Sequence, residues 1–398
     1  GLGDVYKRQE RRNMKILHLA DLHFGKILQE QSLIEDQEYI LKEIINIIKE
    51  KEIKALLISG DIYDRSVPPT EAVNLLDNFL KILIKDLKIK VFIISGNHDS
   101  KDRLGFGNKI FEDEGLYIES KYNGRLKKVR LEDEYGPLNI YMLPFIKPVE
   151  VKKFFEDDLE NNYDLAINKI IEKEEIDKSE RNIIMVHQFV TAGNVKPERT
   201  ESEVLSLGGI ENVDVSNFKS FDYVAIGHVH RPQKIGRDTA RYAGTILKYS
   251  FSEINHNKSI PIIDIKEKGN ITINLLPLKP LRDMREIKGP IEELIKEENY
   301  KEGNLEDYIK AIITNEEPVY DAIGKIKKIY PNTLKLEIQN SKTINSNTEQ
   351  NINLEEVKKK SELELFSDFY KLQNNLDLNE KQKEIVKNII SEVKHETN

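Results

Sequence analysis

Short apolar runs, each ending in a small cluster of Asp, His or Asn, recur along the first 230 residues of the chain. They cover 15–20, 55–59, 91–95, 183–186 and 223–226, are rich in Ile, Val and Leu, and are bounded by turn signals. Such runs predict buried strands. Between the early ones the apolar period becomes helical. Over 33–50, Ile40, Leu41, Ile44, Ile45 and Ile48 share one face, which predicts an amphipathic helix turned toward a core. Pro68, Pro69 and Thr70 open a second helix to about 85, because proline suits a first helical turn. Strand, helix, strand, helix, strand reads as an α/β fold with a parallel sheet.

After Ser100 the runs shorten. Strands are expected at 127–131, 139–143, 183–187, 223–226, 260–265 and 271–276, with a polar helix at 161–174. This half reads as a second sheet packed on the first. Pro277 and Pro280 mark a boundary. Beyond it, strands at 284–288, 308–314 and 333–338 and helices at 291–298 and 319–329 make a small α+β module. Residues 341–353 (SKTINSNTEQNIN) form a polar linker by composition. Two helices then close the chain. Ser361 and Glu364 stand in capping-box spacing before Leu365, Phe366, Phe369 and Tyr370, and Asn379 could cap a helix striped by Ile385, Val386, Ile389, Ile390 and Val393.

Residues 1–9 (GLGDVYKRQ) have neither the apolar core of a signal peptide nor an amphipathic period. They resemble translated adaptor sequence, and Met14, which opens the first strand, is the expected start. The expected organisation is therefore a non-native leader at 1–13, a main domain at 14–280, a small module at 281–340, a linker at 341–353 and a helical segment at 354–398.

Composition narrows the chemistry. A length of 398 residues suits two or three units. Charged residues make up 33% of the chain and no apolar run nears 18 residues, which argues against a membrane span. The absence of cysteine leaves no disulfide or thiolate site and fits a reducing cytoplasm. Any metal must be held by O and N ligands, which suits Mn, Mg, Fe or Zn. A net charge of -8 argues against tight autonomous nucleic-acid binding. A nuclease remains compatible, since bound cations and a partner subunit can supply the positive field.

The clusters carry the chemistry. They read Asp21-Leu22-His23, Gly60-Asp61-Ile62-Tyr63-Asp64, Gly96-Asn97-His98-Asp99 and Gly227-His228-Val229-His230, with His187 alone at the end of its run. In open α/β sheets the carboxyl ends of strands gather in one crevice. Gathered there, these residues suffice for two metal ions. A two-metal centre needs a bridging carboxylate, and Asp61 is the best candidate because Gly60 frees the turn before it. Asp21 and His23, two residues apart, point to one side of an extended segment, as do His228 and His230. Asn97 offers an amide oxygen. Any one of these histidines is more often a structural residue than a ligand, but placement at successive strand ends is not chance. His18 is expected to fill structure, His256 to sit in a polar turn, His395 in a frayed tail, and Lys358, Lys359 and Lys360 on a solvated face. Asp64 and Asp99 are open between orienting ligands and holding a turn or cap.

These motifs, in this order, resemble the calcineurin-like metallophosphoesterase superfamily. MKILHLADLHFGK, SGDIYDRSVPP, SGNHDSKDRLGF and IGHVHRPQ, then YSFSE at 249–253, NEEPVYDAIGKIKKIY at 315–330 and the 364–373 block, are similar to the bacterial SbcD family of nuclease subunits. The resemblance spans Met14 to the C-terminus. It implies a four-layer sandwich of two packed sheets flanked by helices, with an α+β capping domain and C-terminal helices. It assigns Asp21, His23, Asp61 and His230 to one ion and Asp61, Asn97, His187 and His228 to the other. His98 then faces the scissile phosphate. Two divalent ions would lower the pKa of a shared water and bind the phosphate oxygens, with Mn preferred. The implied activity is 3'-5' trimming of double-strand DNA ends and endonucleolytic cleavage of hairpins and single strands, in DNA repair and recombination. The implied partners are DNA and the ATPase SbcC, in a heterotetramer built on a homodimer, with the terminal helices as the SbcC-binding segment. The alternative is another calcineurin-like phosphoesterase, a protein phosphatase or nucleotide phosphodiesterase. Ser/Thr phosphatases, however, carry Glu where this chain has Asp99 and lack the trailing modules.

Overall fold

The computed structural model describes residues 14–155, 161–200, 203, 211–301, 303–344, 361–374 and 377–396. The expected leader and most of the 341–353 linker lie outside them. The chain divides into two compact units at Asp283 and Met284.

The first unit is built on two six-stranded sheets. In one, Lys15–Leu19, Ala55–Ser59, Lys90–Ile94 and Leu116–Glu119 run parallel, and Ser259–Ile265 and Ile271–Pro277 extend it antiparallel beyond Lys15–Leu19. In the other, Gly136–Leu143, Arg181–Val186, Tyr223–Ile226 and Arg237–Tyr242 are parallel, edged antiparallel by Lys127–Asp133 and Gln233–Ile235. Alternate residues of the two sheets share one core. Ile16, Leu57, Phe92 and Ile94 meet Ile140, Met142, Ile183, Met185 and Ala225 there. The outer face of the second sheet buries Tyr141, Ile184, Val224 and Ile226 with Ile167 and Ile170 of the helix Tyr163–Lys173. Strands covered on both faces are nearly continuous in apolar residues, which is why they stood out in the sequence.

The first unit also departs from the expected elements. Leu116–Glu119, Gln233–Ile235 and Arg237–Tyr242 are strands that the pattern did not announce. They alternate buried and partly exposed residues and lie at or beside sheet edges, where continuous apolarity is not required. The second helix is Thr70–Lys81 and widens into a π-helical stretch at Ile82–Asp86.

The second unit has a parallel sheet of Met284–Gly289, Tyr308–Ile313 and Thr333–Ile338 over a core of Ile291, Leu294, Ile309, Ala311, Ile326 and Tyr330. The helix expected at 291–298 is two single turns, Ile291–Leu294 and Glu297–Tyr300. The one expected at 319–329 is Ala322–Lys327, started by Asp321, whose carboxylate accepts from Gly324 N. Ser341–Ile344 form a helical turn where linker was expected. Glu362–Asn374 and Glu380–Glu396 are helices. Ser361 with Glu364, and Asn379 with Gln382, exchange the two hydrogen bonds of a capping box. His395 lies within the last helix rather than in a frayed tail.

Candidate metal centre

Five strands of the two sheets end at one place. Lys15–Leu19 delivers Asp21 and His23, Ala55–Ser59 delivers Asp61, and Lys90–Ile94 delivers Asn97 and His98. Arg181–Val186 and Tyr223–Ile226 bring His187, His228 and His230 from the other sheet. All eight are brought together. Asp21, His23 and His230 offer ligand atoms within 4.8 Å of one another, as do Asp21, Asp61 and His187, and also His23, Asp61 and His98.

The backbone is held in a costly shape to do this. Asp21 (φ 52°), His23 (45°), Asp61 (50°) and His228 (92°) are all in the left-handed region. Non-glycine residues pay about 1–3 kcal/mol each for such conformations, which persist where the surroundings over-determine them. Here Asp21 N donates to Gly60 O and His23 N to Asp61 O, both at 3.0 Å. Packing leaves no room for a Cβ at Gly96 or Gly227. One added at Gly96 would collide with Asp61, and one at Gly227 with Ser59 O and the His187 ring.

The side chains fall into two groups around Asp61. Its Oδ2 lies 3.3 Å from His187 Nε2 and 3.8 Å from His23 Nε2. On one side Asn97 Oδ1 stands 3.1 Å from His187 Nε2 and 3.0 Å from His228 Nδ1. His187 Nδ1–H donates to Ser59 O at 2.7 Å, which turns Nε2 toward the cluster. On the other side His23 packs against His230, with ring centroids 5.0 Å apart. His98 Nδ1–H donates to Asp64 O at 2.9 Å, its amide donates to Asp61 Oδ1 at 2.9 Å, and its ring lies 4.9 Å from that of His23.

Burial and the contacts between carboxylate and imidazole shift these groups together. His23 falls well below the ordinary imidazole range, burial being the main cause. Burial and the neighbouring His187 push His228 down to about 3. Burial would lower His187 too, but the Asp61 carboxylate carries it up to about 9. Asp61 itself, which burial alone would raise, is held well below the carboxylate range by His187 and His23. Burial raises Asp21 to about 7 against the pull of His187 and His230.

The donor set fits divalent cations. His23 is buried, and neither of its ring nitrogens has a hydrogen-bond partner. Buried polar atoms are otherwise almost always paired, so an orphaned imidazole in a nest of carboxylates calls for a cation. Every available donor is O or N, which suits Mn, Mg, Fe or Zn.

Of the open cases, Asp99 holds turns together. Its carboxylate accepts from Gly96 N, Ile62 N and Tyr63 N, tying the Asp61 loop to the Asn97 loop. Asp64 Oδ1 accepts from Lys26 Nζ at 2.8 Å and stands 3.7 Å from His23 Nδ1, so it faces the site. His18 is buried and structural, between Ser59 Oγ and Tyr223 Oη.

Sequence reasoning missed a supporting layer. Glu253 Oε1 is 3.7 Å from His230 Nδ1 and its other oxygen accepts from the buried Lys258 at 2.6 Å. Lys258 also donates to His230 O, and Glu203 accepts from His230 N. Gln37 donates to His23 O and to Tyr249 Oη, and Tyr249 donates to Leu22 O. The YSFSE block pointed at Tyr249 and Glu253; Gln37, Glu203 and Lys258 carried no signal.

Residues 14–232 match the calcineurin-like phosphoesterase family, and 280–374 match the type 5 capsule protein repressor C-terminal domain. The SbcD subunit of the SbcCD nuclease of Staphylococcus epidermidis is 35% identical over 380 residues, 95% of this chain and 98% of its own length. Its counterpart in Staphylococcus saprophyticus is 37% identical over 360 residues, 90% of this chain and 92% of its own. A solved dimetal phosphatase from Danio rerio aligns at 12% identity and a TM-score of 0.41, over 67% of this chain and 98% of its own.

Proposed function

This chain belongs to the calcineurin-like phosphoesterase family, among the SbcD nuclease subunits, and from that premise we propose how its residues divide the work. It is a metal-dependent DNA nuclease of the SbcD kind; a protein phosphatase or nucleotide phosphodiesterase is not favoured, because the relatedness runs through the trailing domain as well. Asp21, His23, Asp61 and His230 would hold one divalent ion, and Asp61, Asn97, His187 and His228 the other, with Mn the preferred metal. Asp61 carries this assignment, because its carboxylate lies between His23 and His187.

Two ions bound there would lower the pKa of a water and neutralise the phosphate oxygens. The protein's own part is orientation and proton handling. Ser59 O fixes the His187 tautomer, leaving Nε2 as the donor atom. Asp64 O accepts the Nδ1–H of His98 and so turns Nε2 toward the scissile phosphate, where a proton carried on it would face the departing oxygen. From there His98 stabilises developing charge or gives its proton to the departing sugar oxygen.

The chain would work beside SbcC on DNA in the cytoplasm; no described helix is long and apolar enough to cross a membrane. Leu365, Phe366, Phe369, Ile385 and Ile389 of the terminal helices are exposed and apolar, which suits an SbcC-binding segment. Val67, Val73, Phe106 and Ile110 are likewise exposed near the helix Thr70–Lys81 and the helical turns Lys101–Leu104 and Asn108–Phe111, which suits pairing of two nuclease subunits. The test is a nuclease assay on linear duplex and hairpin DNA, with and without SbcC and with Mn added or chelated. Mn-dependent cleavage is expected, extended by SbcC; cleavage that survives chelation would end the metal assignment, and a homogeneous preparation inert toward both DNAs would end the nuclease one.

A further inference from the structure

The loop that follows the strand Phe189–Thr191 is pinned beside the centre. Glu198 N donates to Gln233 Oε1 at 3.0 Å, and Gln233 Nε2 donates back to Glu198 O at 2.9 Å. Just beyond, Glu203 accepts from Thr200 N and Oγ1 and from His230 N. Arg199 stands between these anchors. Its guanidinium carbon lies 3.6 Å from the centre of the Phe189 ring, and that ring is 6.3 Å from the ring of His228.

Three cations nearby are already paired. Arg231 pairs with Glu198, Lys26 with Asp64 and Lys258 with Glu253. Among the described residues no carboxylate lies within ion-pair distance of Arg199. A guanidinium stacked on an aromatic face keeps its N–H edge open and has already given up much of its side-chain freedom. Such a group is prepared for an anion that arrives with the substrate. Arg199 rests on Phe189, and Phe189 in turn neighbours His228, which puts the guanidinium at the margin of the centre, within reach of a phosphate next to the one being cleaved. A nucleic-acid strand brings phosphates on both sides of the scissile one; a lone phosphodiester does not.

We propose that Arg199 grips a DNA backbone phosphate adjacent to the scissile one and so makes the site select polynucleotide over small diesters. This rests on the reading of the site as a DNA phosphodiesterase.

Arg199→Ala and Arg199→Lys would be compared with the parent chain on a labelled oligonucleotide and on bis(p-nitrophenyl) phosphate, both with Mn. For Arg199→Ala the KM for DNA should rise about tenfold with kcat little changed, as for loss of one charge-assisted contact. Hydrolysis of the small diester should stay within about twofold. DNA affinity by fluorescence anisotropy in EDTA should fall likewise, and the dependence of log affinity on log salt should shallow by about one. Lysine should restore part of the affinity as a point charge without the fork. Equal losses on both substrates, or an unchanged KM and affinity for DNA, would overturn the proposal while leaving the nuclease reading intact. A parent chain that cleaves the small diester but never DNA would overturn both.

Discussion

The two halves of the centre are prepared by different means. In the His187–His228 half the candidate ligands touch one another: Asn97 Oδ1 reaches both imidazoles, and His187 is anchored to Ser59 O. In the Asp21–His23–His230 half the contact is ring against ring, His23 on His230 with centroids 5.0 Å apart. His23 has no hydrogen-bond partner at either nitrogen, and order comes from behind, through Gln37 and Tyr249 on the Asp21–His23 loop and through Glu203, Glu253 and Lys258 on His230. A site whose ligands satisfy one another can keep its shape without a cation. An imidazole held only through its backbone, as His23 is, keeps its ring nitrogens unsatisfied until a cation arrives. The second half should therefore depend more on its supporting layer, and the first more on its own side chains.

Removing what the halves share gives the largest effect. Asp61→Ala should lose both ions together, since two adjacent cations without an intervening anion repel each other. Elemental analysis should find neither ion, and nuclease activity should vanish. Full occupancy in this variant would show that the halves do not share a bridge. His98→Ala should keep both metals, yet its turnover on duplex DNA should fall by roughly 10²–10⁴, the range for losing a general acid. The grouping of His98 with His23 and Asp61 makes this a real test. Loss of metal with His98 would make it a ligand of the His23 half.

What the sequence made legible follows the same division. The candidate ligands sit at the ends of strands buried on both faces, so continuous Ile, Val and Leu runs led straight to Asp21, Asp61, Asn97, His187 and His228. The supporting layer is a matter of long-range packing. Gln37 lies on an amphipathic helix and Lys258 just ahead of a strand, and nothing local distinguishes them from surface polar residues. Likewise Arg237–Tyr242 and Leu116–Glu119 carry only partial apolar faces, too weak a period to read as strand. The expected 319–329 helix was overlong because the start imposed by Asp321 is invisible in apolar spacing.

Glu253→Gln should separate the halves. It leaves Lys258 buried with its charge uncompensated and loosens the His230 ring. Losing one partner of a buried pair costs about 3–5 kcal/mol, and losing an outer partner weakens metal affinity by about 10–100-fold. Isothermal titration with Mn should show one site weakened to that extent and the other unchanged. Equal weakening of both sites would mean that the halves are not independently supported.

The smallest expected effect comes from a group beneath both halves. His18 lies in Lys15–Leu19, which leads to Asp21 and His23, and its Nε2 is 3.1 Å from Oγ of Ser59, whose carbonyl holds His187. Ser59 Oγ donates to Ala225 O, so it accepts from His18 Nε2–H, and His18 Nδ1 accepts from Tyr223 Oη. A second proton on Nδ1 has no acceptor unless Tyr223 gives up its own arrangement. Burial, aided by the charge of Arg241, lowers His18 to about 3, against an unfolded value of about 6.5. Between these values the unfolded chain binds the extra proton, so stability is complete above pH ~6.5 and declines as pH falls toward ~3. Each unit in that window should remove up to about 1.4 kcal/mol through this residue. Denaturant unfolding of the parent and of His18→Gln, from pH 8 to 4, should show a shallower acid decline in the variant whatever its starting stability. Because His18 supports the strands of both halves, metal affinity at the two sites should weaken in parallel as that decline sets in. An identical acid slope in the two proteins would remove His18 as the common floor and leave each half resting on its own supports.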